Sequence, residues 1–220
     1  MLVYGKNVLK ELDIKKIKKA YVASNNYLDY LKKNKIKFEY VDKNRLDKMV
    51  DGKHQNIVLE IYDYEYYTLD DINGDFIVLL DHIEDPHNLG AIIRTCECAG
   101  IKEIIIPKDR SCLVNETVMK SSAGALAHVK IIMVSNLNNA INRLKKANYF
   151  IYSADMNGVN YSEVDYANKK ALIIGNEGHG VSKLIKENSD YIVSIPMYGR
   201  VNSLNASASA AILIYKMLGE

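Results

Sequence analysis

From Phe76 to Ile195 the chain keeps returning to short apolar runs, FIVLL, EIIIP, VKIIMV, YFIYSA, KALIIG and YIVSI, most of them without internal charge. A strand with one solvated face alternates polar and apolar residues, whereas an unbroken apolar run is buried on both faces, as central strands of a parallel sheet are. Segments between these runs, LGAIIRTCECAG, NLNNAINRLKKA and GVSKLIKENS, have helical spacing. Strand, helix, strand in this order predicts parallel βαβ units. Residues 75–220 are therefore expected to form an α/β domain around a parallel sheet, closed by a helix at SASAAILIYKML.

In an open parallel sheet, ligands bind beyond the carboxyl ends of the strands. The loops after FIVLL, ALII and YIVSI are the places to look for chemistry. The first, DHIEDPHN, leads into a helix that Asn88 is expected to cap, with Arg94 about a turn and a half further on. Its histidines and acids lack metal-ligand spacing, because Pro86 breaks the helical geometry that would align them. The ordinary use of Arg94 would be an exposed ion pair with Glu97. The second loop, GNEGHG, departs from a dinucleotide fingerprint: Glu177 stands where a glycine must admit a pyrophosphate, and no Gly-Lys-Ser/Thr follows. It suits a ligand without phosphates, or a plain tight turn. The third, SIPMYGRVNSLNASASAA, enters a helix through Ser, Asn and Ala alone, which predicts that something must come close to that helix start.

Charge divides the chain. Residues 1–60 hold 14 Lys and Arg against 8 Asp and Glu, while residues 61–220 hold 15 against 19. A lysine-rich N-terminal quarter suits a partner with many phosphates, although a solvated surface would look the same. Within it, helices at GKNVLKEL, YLDYLKK and NRLDKMV alternate with strands at KAYVAS, KFEYV and NIVLEI, giving a compact α/β module over residues 1–61. Residues 62–74, YDYEYYTLDDING, have no period and read as a linker whose tyrosines either anchor it or stack on bases. No apolar segment approaches the roughly 18 residues of a membrane span and no signal-like start is present, so a cytoplasmic protein is expected. Cys96, Cys98 and Cys112 are odd in number, with the close pair on different sides of a helix, so neither disulfide nor zinc is expected.

Taken in order, DPHNLGAIIRT, IIGNEGHGV and IPMYGRVNSLNASASAA resemble the three motifs of the SpoU (TrmH-type) RNA ribose 2′-O-methyltransferases of the SPOUT superfamily, over roughly residues 75–218. The basic module resembles the substrate-binding domain of the rRNA-modifying members through GKNVLKEL and HQNIVLEI, with Asn56 where a glycine is common. The resemblance implies a SPOUT-type parallel sheet with a C-terminal deep trefoil knot, preceded by a small α/β RNA-binding domain. It implies S-adenosyl-L-methionine as cofactor, no metal, and a homodimer. By motif position, Asn88, Arg94, Glu177, Ser203 and Asn205 would serve catalysis, and Gly175, Ile195 and Leu204 would contact the cofactor.

The implied reaction is methyl transfer to a ribose 2′-hydroxyl of RNA, with a 23S rRNA guanosine as first choice and a tRNA guanosine or rRNA adenosine as alternatives. A guanidinium is a reluctant base. Arg94 is therefore expected to position a phosphate and favour the alkoxide, oriented with the ribose by Glu177, Ser203 and Asn205, while a neighbouring group or water takes the proton. The competing classes are a non-catalytic RNA-binding or ribosome-assembly factor and, more remotely, a Rossmann-type oxidoreductase. The presence of all five polar positions weighs against the first. On the closing helix, Ile212, Leu213, Ile214, Met217 and Leu218 make more apolar surface than one sheet flank covers, which places Ile214 or Leu218 at a two-fold contact.

Overall fold

The computed structural model describes residues 1–219, which form two sheets. The N-terminal sheet orders its strands β1 (Leu2–Tyr4), β4 (Ile57–Ile61), β2 (Ile17–Val22) and β3 (Phe38–Tyr40). Strand β4 runs antiparallel to both β1 and β2, and β3 is parallel to β2. Three helices accompany them, α1 (Lys6–Glu11), α2 (Leu28–Lys33) and α3 (Lys43–Met49). Alternation along β4 sends Ile57, Leu59 and Ile61 into one apolar cluster with Val8, Leu9 and Leu31, and Val58 into another with Leu46 of α3. The first cluster does not end with the module. It continues through Val118, Met119 and Leu126 into the rest of the chain, so both parts share a core.

Residues 62–74 are tied down by their tyrosines. Ile131 N donates to Tyr64 Oη at 3.1 Å, and Val114 N donates to Tyr66 Oη at 2.8 Å. Tyr67 pairs with Ile132 and so covers the edge of the second sheet. Burial pushes the Tyr64 phenol well above its usual range. Tyr64, Tyr66 and Tyr67 thus anchor the segment, while Tyr62 is exposed.

The second sheet orders β10 (Tyr191–Ser194), β8 (Phe150–Asn160), β9 (Lys170–Gly175), β5 (Phe76–Asp81), β6 (Glu103–Pro107) and β7 (Lys130–Val134), every pair parallel. Its helices are α4 (Pro86–Cys98), the unexpected short α5 (Glu116–Ser121), α6 (Leu137–Lys146), α7 (Lys183–Glu187) and α8 (Ala206–Leu218). Ile77 and Leu79 face α6 and α7, while Val78 and Leu80 face α4 and α8. All four are fully buried. Each such side chain stabilises the fold by about 1.5–3 kcal/mol relative to exposure, and none leaves a polar group to satisfy. Strand β8 runs six residues past the expected YFIYSA, because Gly158 lets its backbone lie against β10: a Cβ there would sit 2.5 Å from Ile192 O. The chain leaves β5 toward β6, but leaves β9 toward β10 on the opposite side. The crevice between the carboxyl ends of β5 and β9 is thus the topological switch point. Among the described residues no helix is long and apolar enough to cross a membrane.

Candidate active site

Asp81 and Gly175, the last residues of β5 and β9, are register partners at this crevice. Asp81 is buried, with both carboxylate oxygens engaged: His82 Nδ1 lies 2.6 Å from Oδ1, and Ser182 N donates to Oδ2 at 2.7 Å. His82 takes a left-handed φ of 60°, and its carbonyl accepts from Asn176 Nδ2 at 2.8 Å. These bonds strap the two strand-end loops together. A Cβ on Gly175 would strike the backbone of Gly180 and Val181, so the GNEGHG turn folds back directly on the strand end. Gly180 N closes that turn on Asn176 O at 2.8 Å.

Helix α4 starts three residues earlier than expected. Asp85, not Asn88, is its cap: Oδ1 accepts from His87 N at 2.8 Å, and Pro86 occupies the first helical position, where a missing N–H costs nothing. Asn88 is thereby released from capping and is buried in the first turn. Its Nδ2 donates to Glu177 Oε1, and its Oδ1 accepts from Asn205 Nδ2 at 3.0 Å. Asn205 in turn caps α8, accepting from Ser207 N at 2.9 Å and Ser207 Oγ at 2.6 Å. Three residues from three separate strand-end loops form one hydrogen-bonded chain. The small residues at the start of α8 answer to this: Ala206 and Ala210 are buried there.

Arg94 is exposed and makes no ion pair or hydrogen bond among the described residues, so the expected pairing with Glu97 is not formed. Glu177 and Asn205 bond to Asn88 and not to Arg94, which corrects the expectation that they orient the guanidinium. Glu177 also lines a cleft of about 450 Å³, together with Ser203 and with Gly175, Ile195 and Leu204. Asn88, Arg94 and Asn205 stand outside its lining.

One wall was not foreseen. Asp155, Met156 and Asn157 of β8 line the same cleft, as does His179. The available signal was the acid and amide that follow YFIYSA, another apolar run ending in polar residues. Lys186 Nζ donates to Asp155 Oδ2 at 2.7 Å. Burial works to raise the Asp155 pKa, but hydrogen bonds from Lys186 and Asn157 outweigh it and hold the carboxyl below its usual value. The cleft thus combines apolar walls with two carboxylates, and among the described residues no lysine or arginine lines it.

Residues 75–215 match the family model described as the SpoU rRNA Methylase family, and residues 2–67 match that described as RNA 2'-O ribose methyltransferase substrate binding. A Staphylococcus saprophyticus protein named as a TrmH family tRNA/rRNA methyltransferase is 38% identical over 225 residues, covering 98% of this chain and 90% of that protein. YacO of Bacillus subtilis, similarly named, is 36% identical over 233 residues, covering 98% and 94%. Among solved structures, the SpoU methyltransferase AviRb of Streptomyces viridochromogenes, in complex with AdoMet, superposes with a TM-score of 0.86 at 22% identity, covering 100% of this chain and 89% of that one. An AdoMet-bound rRNA methyltransferase of Sinorhizobium meliloti gives 0.86 at 24% identity, covering 98% and 85%. With both of its parts matched, the chain belongs to the SpoU rRNA methylase family.

Proposed function

We propose that the chain transfers the methyl group of S-adenosylmethionine to a ribose 2′-hydroxyl of RNA, with a guanosine of 23S rRNA as target, in the cytoplasm. The observation that carries this is the convergence of Asn88, Glu177 and Asn205 at the switch point, with Glu177 also lining the cleft. The cleft suits this cofactor. Ile174, Val193, Ile195 and Leu204 offer apolar surface for an adenine, Gly175 keeps side chains away from the turn, and the lack of lining cations fits a ligand without phosphates. Gly175, Ile195 and Leu204 would hold S-adenosylmethionine, which supplies an electrophilic methyl group on sulfur.

The chain's own residues then have distinct tasks. Arg94, unpaired among the described residues, takes an RNA phosphate and favours negative charge on the ribose oxygen. Asn88 fixes Glu177 through one carboxylate oxygen and Asn205 through its own carbonyl, so the three groups are set before substrate arrives. Ser203, exposed at the cleft wall, orients the ribose. The 2′-hydroxyl proton leaves to the second Glu177 oxygen or to water.

Residues 1–61 serve as the RNA-binding domain, 62–74 as linker and 75–220 as the catalytic domain, whose C-terminal segment threads into a trefoil knot. A homodimer completes the proposal, with its contact on the exposed Ile212, Tyr215 and Leu218 of α8. Ile214 is excluded from that contact because it is fully buried in the chain's own core. Mapping 2′-O-methyl sites in rRNA and tRNA from cells with and without the gene tests the function. A site lost only from tRNA would redirect the substrate, and no lost site in either would reject the activity.

A further inference from the structure

Asp155 has no task in the chemistry above, yet it is expensive to keep. Its side chain is only 12% accessible, and it stands in the cleft wall on β8, next to β9 and on the far side from β5. A carboxylate this enclosed remains charged only with good partners. Lys186 Nζ donates to Oδ2 at 2.7 Å and Asn157 N to Oδ1 at 3.1 Å. Each oxygen thus accepts one protein hydrogen bond and keeps a further lone pair. Of the two carboxylates lining the cleft, Glu177 is tied to Asn88 through one oxygen and its other oxygen is assigned to the 2′-hydroxyl proton, so Asp155 is the cleft carboxylate without a role. An adenosyl group presents two adjacent hydroxyl donors on its ribose, and an acidic side chain near the carboxyl ends of a parallel sheet is a proven acceptor for them.

Resting on the assignment of the cleft to S-adenosylmethionine, we propose that Asp155, held by Lys186, accepts hydrogen bonds from the ribose 2′- and 3′-hydroxyls of the bound adenosyl group. The pair is then a recognition device for the cofactor and takes no part in methyl transfer itself.

The test is equilibrium binding by calorimetry to the full-length chain and to Asp155→Asn. The ligands are S-adenosylhomocysteine, its 2′-deoxy and 3′-deoxy analogues, and 5′-methylthioadenosine. Asp155→Asn should weaken S-adenosylhomocysteine and methylthioadenosine alike, by about ten- to a hundredfold. The deoxy analogues should already bind the unmodified chain weakly and lose little more in the variant, because the same hydrogen bonds cannot be lost twice. Full additivity of the two losses would make Asp155 a brace for the wall and overturn the proposal. A loss confined to S-adenosylhomocysteine would place the carboxylate against the amino-acid ammonium and overturn it too. Should Asp155→Asn not fold, the unmodified chain decides alone: deoxy analogues that bind as tightly as the parent sink the diol contact. Failure of the unmodified chain to bind any adenosyl ligand would instead reject the cofactor assignment.

Discussion

The two sheets keep their polar groups in different places. In the parallel sheet, the interiors of β5, β6, β7 and β9 are apolar, β8 carries polar residues only from Ser153 onward, and the groups that converge on the crevice, Asp81, Asn88, Glu177 and Asn205, stand at or beyond strand ends. In the N-terminal sheet, charge lies on the sheet itself. Glu39 of β3 bridges Lys19 of β2 at 2.7 Å and Arg45 of α3 at 2.7 Å, and both cations lie over the Tyr21 ring. Burial on both faces forces the first kind of sheet to put its chemistry into loops, where it becomes a concave, pre-wired site. A sheet with a partly solvated face can carry exchangeable charges there, which suits an extended polyanion.

The strongest way to break this contrast is at Arg94, which is exposed and unpaired among the described residues. Arg94→Ala should lower methyl transfer by about two to four orders of magnitude while leaving S-adenosylhomocysteine affinity unchanged. Calorimetry beside a transfer assay checks it. Affinity falling in step with activity would move Arg94 to the cofactor side.

Asn88→Asp attacks the wired part. It removes the donor that Glu177 uses and sets a second carboxylate against the first, leaving groups unpaired at a cost of about 1–3 kcal/mol. The sign with pH follows: repulsion is fullest above the ordinary carboxylate range and is relieved as one carboxylate protonates, so the gap to the unmodified chain should narrow in acid. Thermal melts from neutral pH to about pH 4 measure it. A gap that stays constant would mean that the Asn88–Glu177 bond is not what holds the crevice.

How much of this could be read in advance follows the same division. The uncharged runs disclosed the parallel sheet, and strand-end position disclosed the three loops, while Asn88, Glu177 and Asn205 stand out within them only by resemblance to family motifs. Their partners were not legible, since Asn88 meets residues 89 and 117 positions away. Asp85-Pro86 did carry the true start of α4, but the competing cap signal at Asn88 obscured it. Strand β1 has three residues, too few to show a period, and exists because β4 offers it an edge. Asp155 gave no local sign of its cation, which comes from α7. On α8, apolar residues surround the helix, so only packing could separate buried Ile214 from exposed Leu218.

The basic module offers a milder test. Deleting residues 1–61 would uncover the core that Leu9 shares with Met119 and Leu126, so charge reversal is the cleaner perturbation. Lys33, Lys35 and Lys37 are exposed and unpaired among the described residues. Replacing all three by Glu should weaken RNA binding and flatten its salt dependence by about one unit of slope per lost phosphate contact. An undiminished slope would move the RNA to another surface.

The smallest expected effect concerns Glu39, where the contrast is sharpest in kind. Hydrogen bonding from Lys19 is the largest effect and outweighs burial, the next largest, so that with the nearby Arg45 charge the carboxyl is held below its usual value. A depressed carboxylate contributes stability above its unfolded value and loses it as pH falls through the folded one, but this pair is open to water and salt. Glu39→Gln should therefore shift the melting midpoint at neutral pH by only about a degree, and not at all in acid. RNA affinity should respond in the opposite direction. Removing the acid frees Lys19 and Arg45 for phosphate, so affinity should rise and the salt slope steepen if RNA lies on this face. Filter binding at two salt concentrations separates the cases. An unchanged slope in Glu39→Gln, alongside a reduced one in the triple lysine variant, would confine the RNA to the α2–β3 corner and leave the face of the sheet out of recognition.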